Sequence, residues 1–447
     1  MQEFVLPSGD VVARAAPATR RPVDHSNEKV LFDGKDIRLI VNDSGSDVSL
    51  LTFSPRPQYP GNNMVGFGRD FIVNEGYTGA YVIAKWAHWW QSEEVDKAIR
   101  ILTGTKCFAA ARHRLAYGGS MGGFGALKFA AAFGCNSALI VSPQISVQPE
   151  LASFETRWAD DIAKIAFRNP DARTDISADC RYQIIYDPFD SLDRQHIAML
   201  PAHPSLEICP IPFCGHSPLQ MFREVDLLKP LVIAAAEGAL DLEVMRQRVR
   251  ERRRYSPSYL ANLAQAAARQ RHMGVAVWAA RRRFDADQAN SSAFYHYAAL
   301  LRNTRQSRVL LNEARRHLDL SKRSRHGWAN LKYALFQEQR FEDAMQAAAK
   351  ACALPDSNVD DWKWYVELLS KLGRSAEAVA VGRLAAEKFP GDLKIQYALY
   401  MAFIAESMLP EARSMCKAIC DRTDVNPDYK SRVRAALSAL VADNGAS

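Results

Sequence analysis

Hydrophobic and polar positions follow two different rhythms along this chain. Up to about residue 240, short apolar runs recur: IRLIV (37–41), VSLLTF (48–53), GAYVIA (79–84), HRLAYG (113–118), NSALIVS (136–142), RYQIIY (181–186) and LEICPIP (206–212). Apolar runs of this length with little alternation predict strands buried on both faces. Between several of them lie stretches with helical spacing, SEEVDKAIRIL (92–102) and GGFGALKFAAAFG (122–134). Strands alternating with helices predict an α/β domain over 1–240, with a doubly wound, mostly parallel sheet. Residues 143–178 form an unusually long connection and are expected to be a cap-like insertion over a site.

From residue 241 the strand rhythm stops and alanine- and leucine-rich helical patterns take over. Ala276, Leu310, Ala344, Ala378 and Ala412 are spaced 34 residues apart, and Ala280, Ala314, Ala348, Gly382 and Cys416 repeat that spacing four residues later. Phe294, Trp328 and Trp362 share the period, as do Tyr297, Leu331, Tyr365 and Leu399. Small residues where helices cross, with bulky ones between, resemble the tetratricopeptide repeat (TPR). The resemblance implies an all-α TPR-like solenoid over 257–440, joined through a basic linker helix at 241–256. It departs from the family where Lys332 and Glu367 stand near the usual glycine. It also implies a protein partner or self-association through the repeats.

Composition changes the picture modestly. The 447 residues are 48% hydrophobic and 24% charged, as in soluble globular chains with more than one domain. No apolar run approaches the ~20 residues that span a bilayer, and the N-terminal segment lacks the pattern of a secretory leader. The eight cysteines show no Cys-x-x-Cys pair, which argues against a zinc or redox motif and for reduced thiols in a cytoplasmic protein. Residues 1–240 carry a net charge of −4 (23 Lys/Arg, 27 Asp/Glu) and residues 241–447 a net of +11 (34 and 23). Nineteen basic and five acidic residues fall within 246–325, a face able to meet an anionic surface. No recognised nucleic-acid motif accompanies it, so a nucleic-acid partner is not expected.

The chemistry concentrates in LAYGGSMGGFG (115–125), where GGSMG (118–122) matches Gly-x-Ser-x-Gly between a strand and a helix. In that context the pattern resembles the nucleophile elbow of the α/β-hydrolases, with Ser120 as nucleophile and the Met121 amide as an oxyanion donor. A serine hydroxyl needs a base, and the base a carboxylate. FCGHSP (213–218) supplies His216 after the last strand. DPFDSLDRQHI (187–197) supplies Asp187, Asp190 and Asp193 after the preceding one. The family order of serine, acid, histidine makes Asp187 the expected acid and Asp190 the alternative. A second oxyanion amide is expected from the loop after VSLLTF, at Ser54 or Arg56, because Pro55 has no N–H. In KWAHWWQ (85–91), Trp86, His88 and Trp89 are candidate substrate contacts, for instance to a sugar, and Trp90 is read as packing. Arg157, Trp158 and Asp160 are expected on a solvated amphipathic helix. Neither a metal nor a nucleotide cofactor is expected. The resemblance implies ester cleavage through an acyl-enzyme, on a small-molecule or carbohydrate ester. An acyltransferase, or a TPR scaffold carrying a retired hydrolase fold, are the alternatives.

Overall fold

The computed structural model describes residues 27–57 and 64–445. The chain forms two compact units, the first ending at Asn262 and the second beginning at Leu263.

The first unit is built on eight strands: β1 (Glu28–Asp33), β2 (Ile37–Asn42), β3 (Val48–Phe53), β4 (Thr78–Ala84), β5 (His113–Gly119), β6 (Ser137–Val141), β7 (Arg181–Tyr186) and β8 (Leu206–Pro210). Their spatial order is β1-β2-β4-β3-β5-β6-β7-β8. β2 is antiparallel to both neighbours, and β3 to β8 are mutually parallel. Every residue of β3, β4 and β6 is buried, as expected for strands covered on both faces. β1 is absent from the sequence-based expectation because EKVLFD is an edge strand whose partly exposed residues break the apolar run. The chain passes from β3 to β4 on one side and returns to β5 on the other. Such a reversal opens a crevice at the C-terminal ends of β3 and β5, where ligands of open α/β sheets bind.

The helices of this unit are α1 (Arg69–Asn74), α2 (Glu94–Thr103), α3 (Lys106–Ala109), α4 (Met121–Phe129), α5 (Ala159–Ile162), α6 (Ser191–Ala198), α7 (Pro218–Glu224), α8 (Leu228–Ala236) and α9 (Leu242–Arg252). Two expectations change here. The insertion at 143–178 is mostly irregular, with α5 and one 3-10 turn at Ala172–Asp175, so Arg157 and Trp158 do not lie on an amphipathic helix. The stretch 241–256 contains α9, which buries Leu242, Met245 and Val249 and packs on β8. The expected basic linker helix thus lies within the first unit.

The second unit is a TPR-like helical solenoid. α10 (Pro257–Arg269), α12 (Ser291–Asn303), α14 (Arg325–Gln337), α16 (Val359–Lys371), α18 (Leu393–Ala405) and α20 (Pro427–Gly445) start 34 residues apart. α11 (Met273–Ala286), α13 (Ser307–Leu320), α15 (Phe341–Cys352), α17 (Ser375–Lys388) and α19 (Leu409–Cys420) keep the same interval. Ala276, Leu310, Ala344, Ala378 and Ala412 have no solvent exposure. A Cβ on Gly382 would come within 2.8 Å of Leu399 Cδ1, which explains a small residue there. Lys332, where the family pattern has glycine, is buried beside Asp361 at 3.5 Å. Each turn inside a helix pair carries one left-handed residue: Arg271 (φ 61°), Arg305 (55°), Gln339 (61°), Gly373 (75°) and Ser407 (57°).

Two glycine contrasts test this account. At Gly118 a Cβ would overlap the Gly122 carbonyl, which is backbone and cannot swing away, whereas at Gly119 the nearest atom would be the Val141 oxygen at 3.6 Å. Gly118→Ala should lower the unfolding free energy by about 2–3 kcal/mol and Gly119→Ala by less than about 1, read from denaturant melts. In the solenoid, Gly373→Ala should cost about 1 kcal/mol because its φ disfavours a side chain.

Candidate functional site

Ser120 joins β5 to α4 with φ 55° and ψ −122°, a backbone held by its amide donating to Val141 O (2.9 Å) and its carbonyl accepting from Phe124 N (3.0 Å). Gly122 lies so close to the end of β3 that a Cβ there would collide with the Phe53 carbonyl, with the Ser54 carbonyl 3.0 Å away. The turn raises a half-buried hydroxyl at the crevice. His216 follows β8 on a turn with two left-handed residues, Phe213 (φ 62°) and Gly215 (φ 66°). Its Nε2 lies 3.0 Å from Ser120 Oγ.

The carboxylate facing His216 belongs to Asp193, with Oδ1 and Oδ2 at 2.8 and 2.9 Å from Nδ1. This corrects the expected acid, Asp187, and its alternative, Asp190. Asp187 is occupied as a backbone acceptor: Oδ1 takes Phe189 N (2.9 Å) and Phe213 N (3.0 Å), and Oδ2 takes Gly215 N (2.6 Å). Burial pushes its carboxyl up, against the lowering by these amides. Asp190 is the N-cap of α6, accepting from Leu192 N (3.1 Å) and Asp193 N (3.0 Å). With α6 started there, Asp193 falls in its first turn and points to His216. Burial acts to raise the Asp193 carboxyl, but its bond to His216 and the charge of Arg157 hold it below the usual range.

The Met121 amide sits at the first position of α4, and among the described residues it has no hydrogen-bond acceptor. The expected second donor changes. Ser54 N is taken by Val82 O (3.0 Å), extending the ladder between β3 and β4, and Ser54 Oγ accepts from Ala84 N (2.9 Å). Ser54 therefore has no amide to offer. Among the described residues the Arg56 amide has no acceptor, while its guanidinium binds Asp161 of α5, with Nε 2.7 Å from Oδ2.

The tryptophan-rich segment packs the elbow from behind. Trp86 Nε1 donates to Asp36 Oδ1 (2.9 Å). His88 has no exposure; its Nδ1 accepts from Trp90 N (2.9 Å), which leaves Nε2 to donate to Asp36 O (3.2 Å). Burial pushes the His88 imidazole down to about 4. Trp90 Nε1 donates to Met121 O (2.8 Å), as packing requires. Trp86, half-buried, and His88 are thus both bonded to Asp36, and Trp89, without exposure, meets Gln144 and lies 5.5 Å from the Trp158 ring.

Gln144 was missed. It is fully buried just past β6, with Oε1 accepting from Trp89 Nε1 (3.2 Å) and its amide group 3.2–3.3 Å from Ser120 Oγ. The available signal was a polar residue three positions after a buried strand next to the serine strand. The insertion also contributes more than expected. Arg157 binds Glu155 (Nη2–Oε2 2.6 Å) and Asp193 (Nη1–Oδ1 2.9 Å), and its guanidinium lies 4.5 Å over the Trp158 ring. Trp158 in turn packs on His216, with ring centroids 5.7 Å apart. Asp160 is exposed and outside this cluster. Burial would raise the Glu155 carboxyl, but hydrogen bonds from His196 and Arg157 bring it down to about 2. A cavity of about 950 Å³ lies between α1, β5, α7 and α8, lined by Phe67, Phe71, Tyr117, Leu219, Val232 and Ile233 among others. Leu219 Cδ1 is 4.0 Å from where a Cβ on Gly119 would stand. Among the described residues no group of three or more His, Cys, Asp or Glu could hold a metal ion.

No protein-family model and no curated protein sequence matches the chain. Solved structures similar to it include MamA, at 14% identity over 38% of this chain and 98% of that one, with a TM-score of 0.33. A thermophilic TPR protein of Thermus thermophilus is 16% identical over 40% of this chain and 98% of that one, with a TM-score of 0.32. YrrB, a TPR protein with an unusual peptide-binding site, is 14% identical over 38% of this chain and 90% of that one, with a TM-score of 0.32.

The low carboxyl value of Glu155 sets a pH dependence. Its folded value, about 2, lies below the ordinary value of 4.5, so its contribution is complete above about pH 5 and is lost as pH falls toward 2. The unfolding free energy of the wild type should drop over that range more steeply than that of Glu155→Gln, by on the order of 2 kcal/mol in denaturant melts at each pH.

Proposed function

We propose that the first unit is a serine hydrolase of the α/β-hydrolase type that cleaves a carboxylic ester. The observation that carries this reading is the unbroken chain from Ser120 Oγ to His216 Nε2 (3.0 Å) and from His216 Nδ1 to Asp193 (2.8 Å), at the crest of a left-handed strand–helix turn. His216 takes the Ser120 proton as Oγ attacks the ester carbonyl, and Asp193 holds the resulting imidazolium. The oxyanion receives the Met121 amide and the Arg56 amide. His216 then passes its proton to the departing alcohol. Water, deprotonated by the same imidazole, releases the acid and restores the Ser120 hydroxyl.

The cavity between α1, β5, α7 and α8 is lined by Arg223, Asp226, Lys229 and Glu237 as well as apolar residues and by none of Ser120, His216 and Asp193, so the acyl group is left open. Of the aromatic platform expected for a sugar, His88 and Trp89 are buried and Trp86 is half-buried with its indole nitrogen on Asp36. An acyltransferase would use the same groups, with an acceptor hydroxyl replacing water. A second reading rests on the helical repeats: the solenoid binds a protein partner and the serine site is idle. Among the described residues no helix is long and apolar enough to cross a membrane. A cytoplasmic site of action, with protein contacts through the solenoid, is part of the proposal.

Labelling of the purified protein by a fluorophosphonate, with p-nitrophenyl acetate turnover in parallel, tests the proposal. Wild type should react at Ser120 and turn over, and Ser120→Ala and His216→Ala should each lose at least about 1,000-fold. Folded wild-type protein that neither labels nor turns over would favour the scaffold reading. The acid assignment has its own test. Asp193→Asn should cost about 10,000-fold in kcat, whereas Asp187→Asn should act mainly by loosening the His216 loop and cost far less.

A further inference from the structure

We infer that Arg157, supplied by the insertion between β6 and β7, is a positioning residue that fixes the Asp193 carboxylate against His216. The inference goes beyond the serine-hydrolase reading and rests on it for the role of Ser120.

Asp193 has a side chain only 1% exposed. Among the described residues its carboxylate meets two side chains, His216 and Arg157, and no backbone amide. Asp187 nearby is held by three amides, so the contrast lies within one loop cluster. A buried carboxylate without a counter-charge is costly, and a neutral imidazole offers a dipole and no charge. Arg157 is the cation in contact with it. The Nη1 atom lies 2.9 Å from Asp193 Oδ1 and also 2.9 Å from His216 Nδ1. With Nε2 accepting from Ser120, the tautomer the reaction requires, Nδ1 donates to Asp193, and Arg157 and His216 then reach one carboxylate from two directions and remove its freedom to rotate.

Arg157 is itself immobilised. Its Nε lies 3.0 Å from Glu155 Oε1, its Nη2 lies 2.6 Å from Glu155 Oε2, and its own amide donates to Oε1 (2.9 Å). Glu155 is anchored in turn by His196 Nε2 at 3.0 Å, and His196 Nδ1 accepts from Ile145 N at 3.3 Å. The fork is thus pre-shaped before any substrate arrives. The remaining charge problem, a guanidinium beside an imidazole that becomes cationic during the reaction, is offset by the two carboxylates that bracket Arg157. The Cys214 thiol, pushed up by burial, adds no charge to this group.

The rate of fluorophosphonate labelling should fall on the order of 10- to 100-fold in Arg157→Met, measured at a temperature where circular dichroism shows the variant fully folded. Arg157→Lys should recover part of it, and millimolar guanidinium should recover labelling of Arg157→Gly in a saturable way while leaving wild type unaffected. Labelling of Arg157→Met at the wild-type rate would overturn the inference, and so would a loss that neither lysine nor guanidinium repairs. A readout independent of reactivity is the downfield proton resonance of His216 Nδ1–H, assigned by its disappearance in His216→Gln. The inference requires it to be lost in Arg157→Met and kept in Arg157→Lys; persistence in Arg157→Met would overturn it. Absence of labelling in the wild type would refute the role of Ser120 and leave this resonance to decide the role of Arg157.

Discussion

A backbone turned left-handed at a residue with a side chain is the constraint on which the first unit depends. Ser120 at φ 55° pays about 1–2 kcal/mol against an ordinary conformation, and the surroundings must over-determine it. They do so from three sides. β6 accepts its amide, the end of β3 presses on Gly122, and Trp90 ties off the Met121 carbonyl. The same crowding that forbids side chains at 118 and 122 brings the β3 loop beside the first amides of α4. Strain and electrostatic preparation of the site therefore have one source.

Three aspartates spaced three residues apart divide three tasks among them. Asp187 joins two loops, Asp190 starts α6, and Asp193 faces His216. The meeting of Ser120 with His216, and the segment that supplies their carboxylate, were legible in the sequence, because glycine spacing and strand order are local signals. Which aspartate faces His216 was not, because that depends on where α6 begins. The N-cap signature of Asp190, a residue able to accept amides two and three positions on, was the missing clue. Gln144 and Arg157 were harder still. Their roles arise from contacts 24 and 36 residues away in the chain, which no local pattern reports.

The tryptophan segment and the solenoid show the same division. Trp86, His88 and Trp89 at a strand end suggested a binding surface, but His88 and Trp89 are buried beside Trp90, and Trp89 and Trp90 stand at φ 43° and 61°. Helix period and small-residue positions in the solenoid were readable because close packing selects for size. The left-handed turn residue of each pair was not readable. Arginine, glutamine, glycine and serine all occupy it, so geometry repeats there without a repeated side chain.

The Asp187 junction constrains how this chain can vary. One carboxylate spans Phe189 after β7 and Phe213 and Gly215 after β8, and two left-handed residues shape the turn it holds. Lengthening or shortening either loop by one residue would carry at least one of the three amides out of reach. Insertions between Asp187 and Phe189, or between Phe213 and Gly215, are thus closed to this architecture. The connection between β6 and β7 could absorb added length wherever it leaves Glu155 and Arg157 in place. Diversity in related chains should therefore gather on that connection, with the loop lengths around His216 held constant.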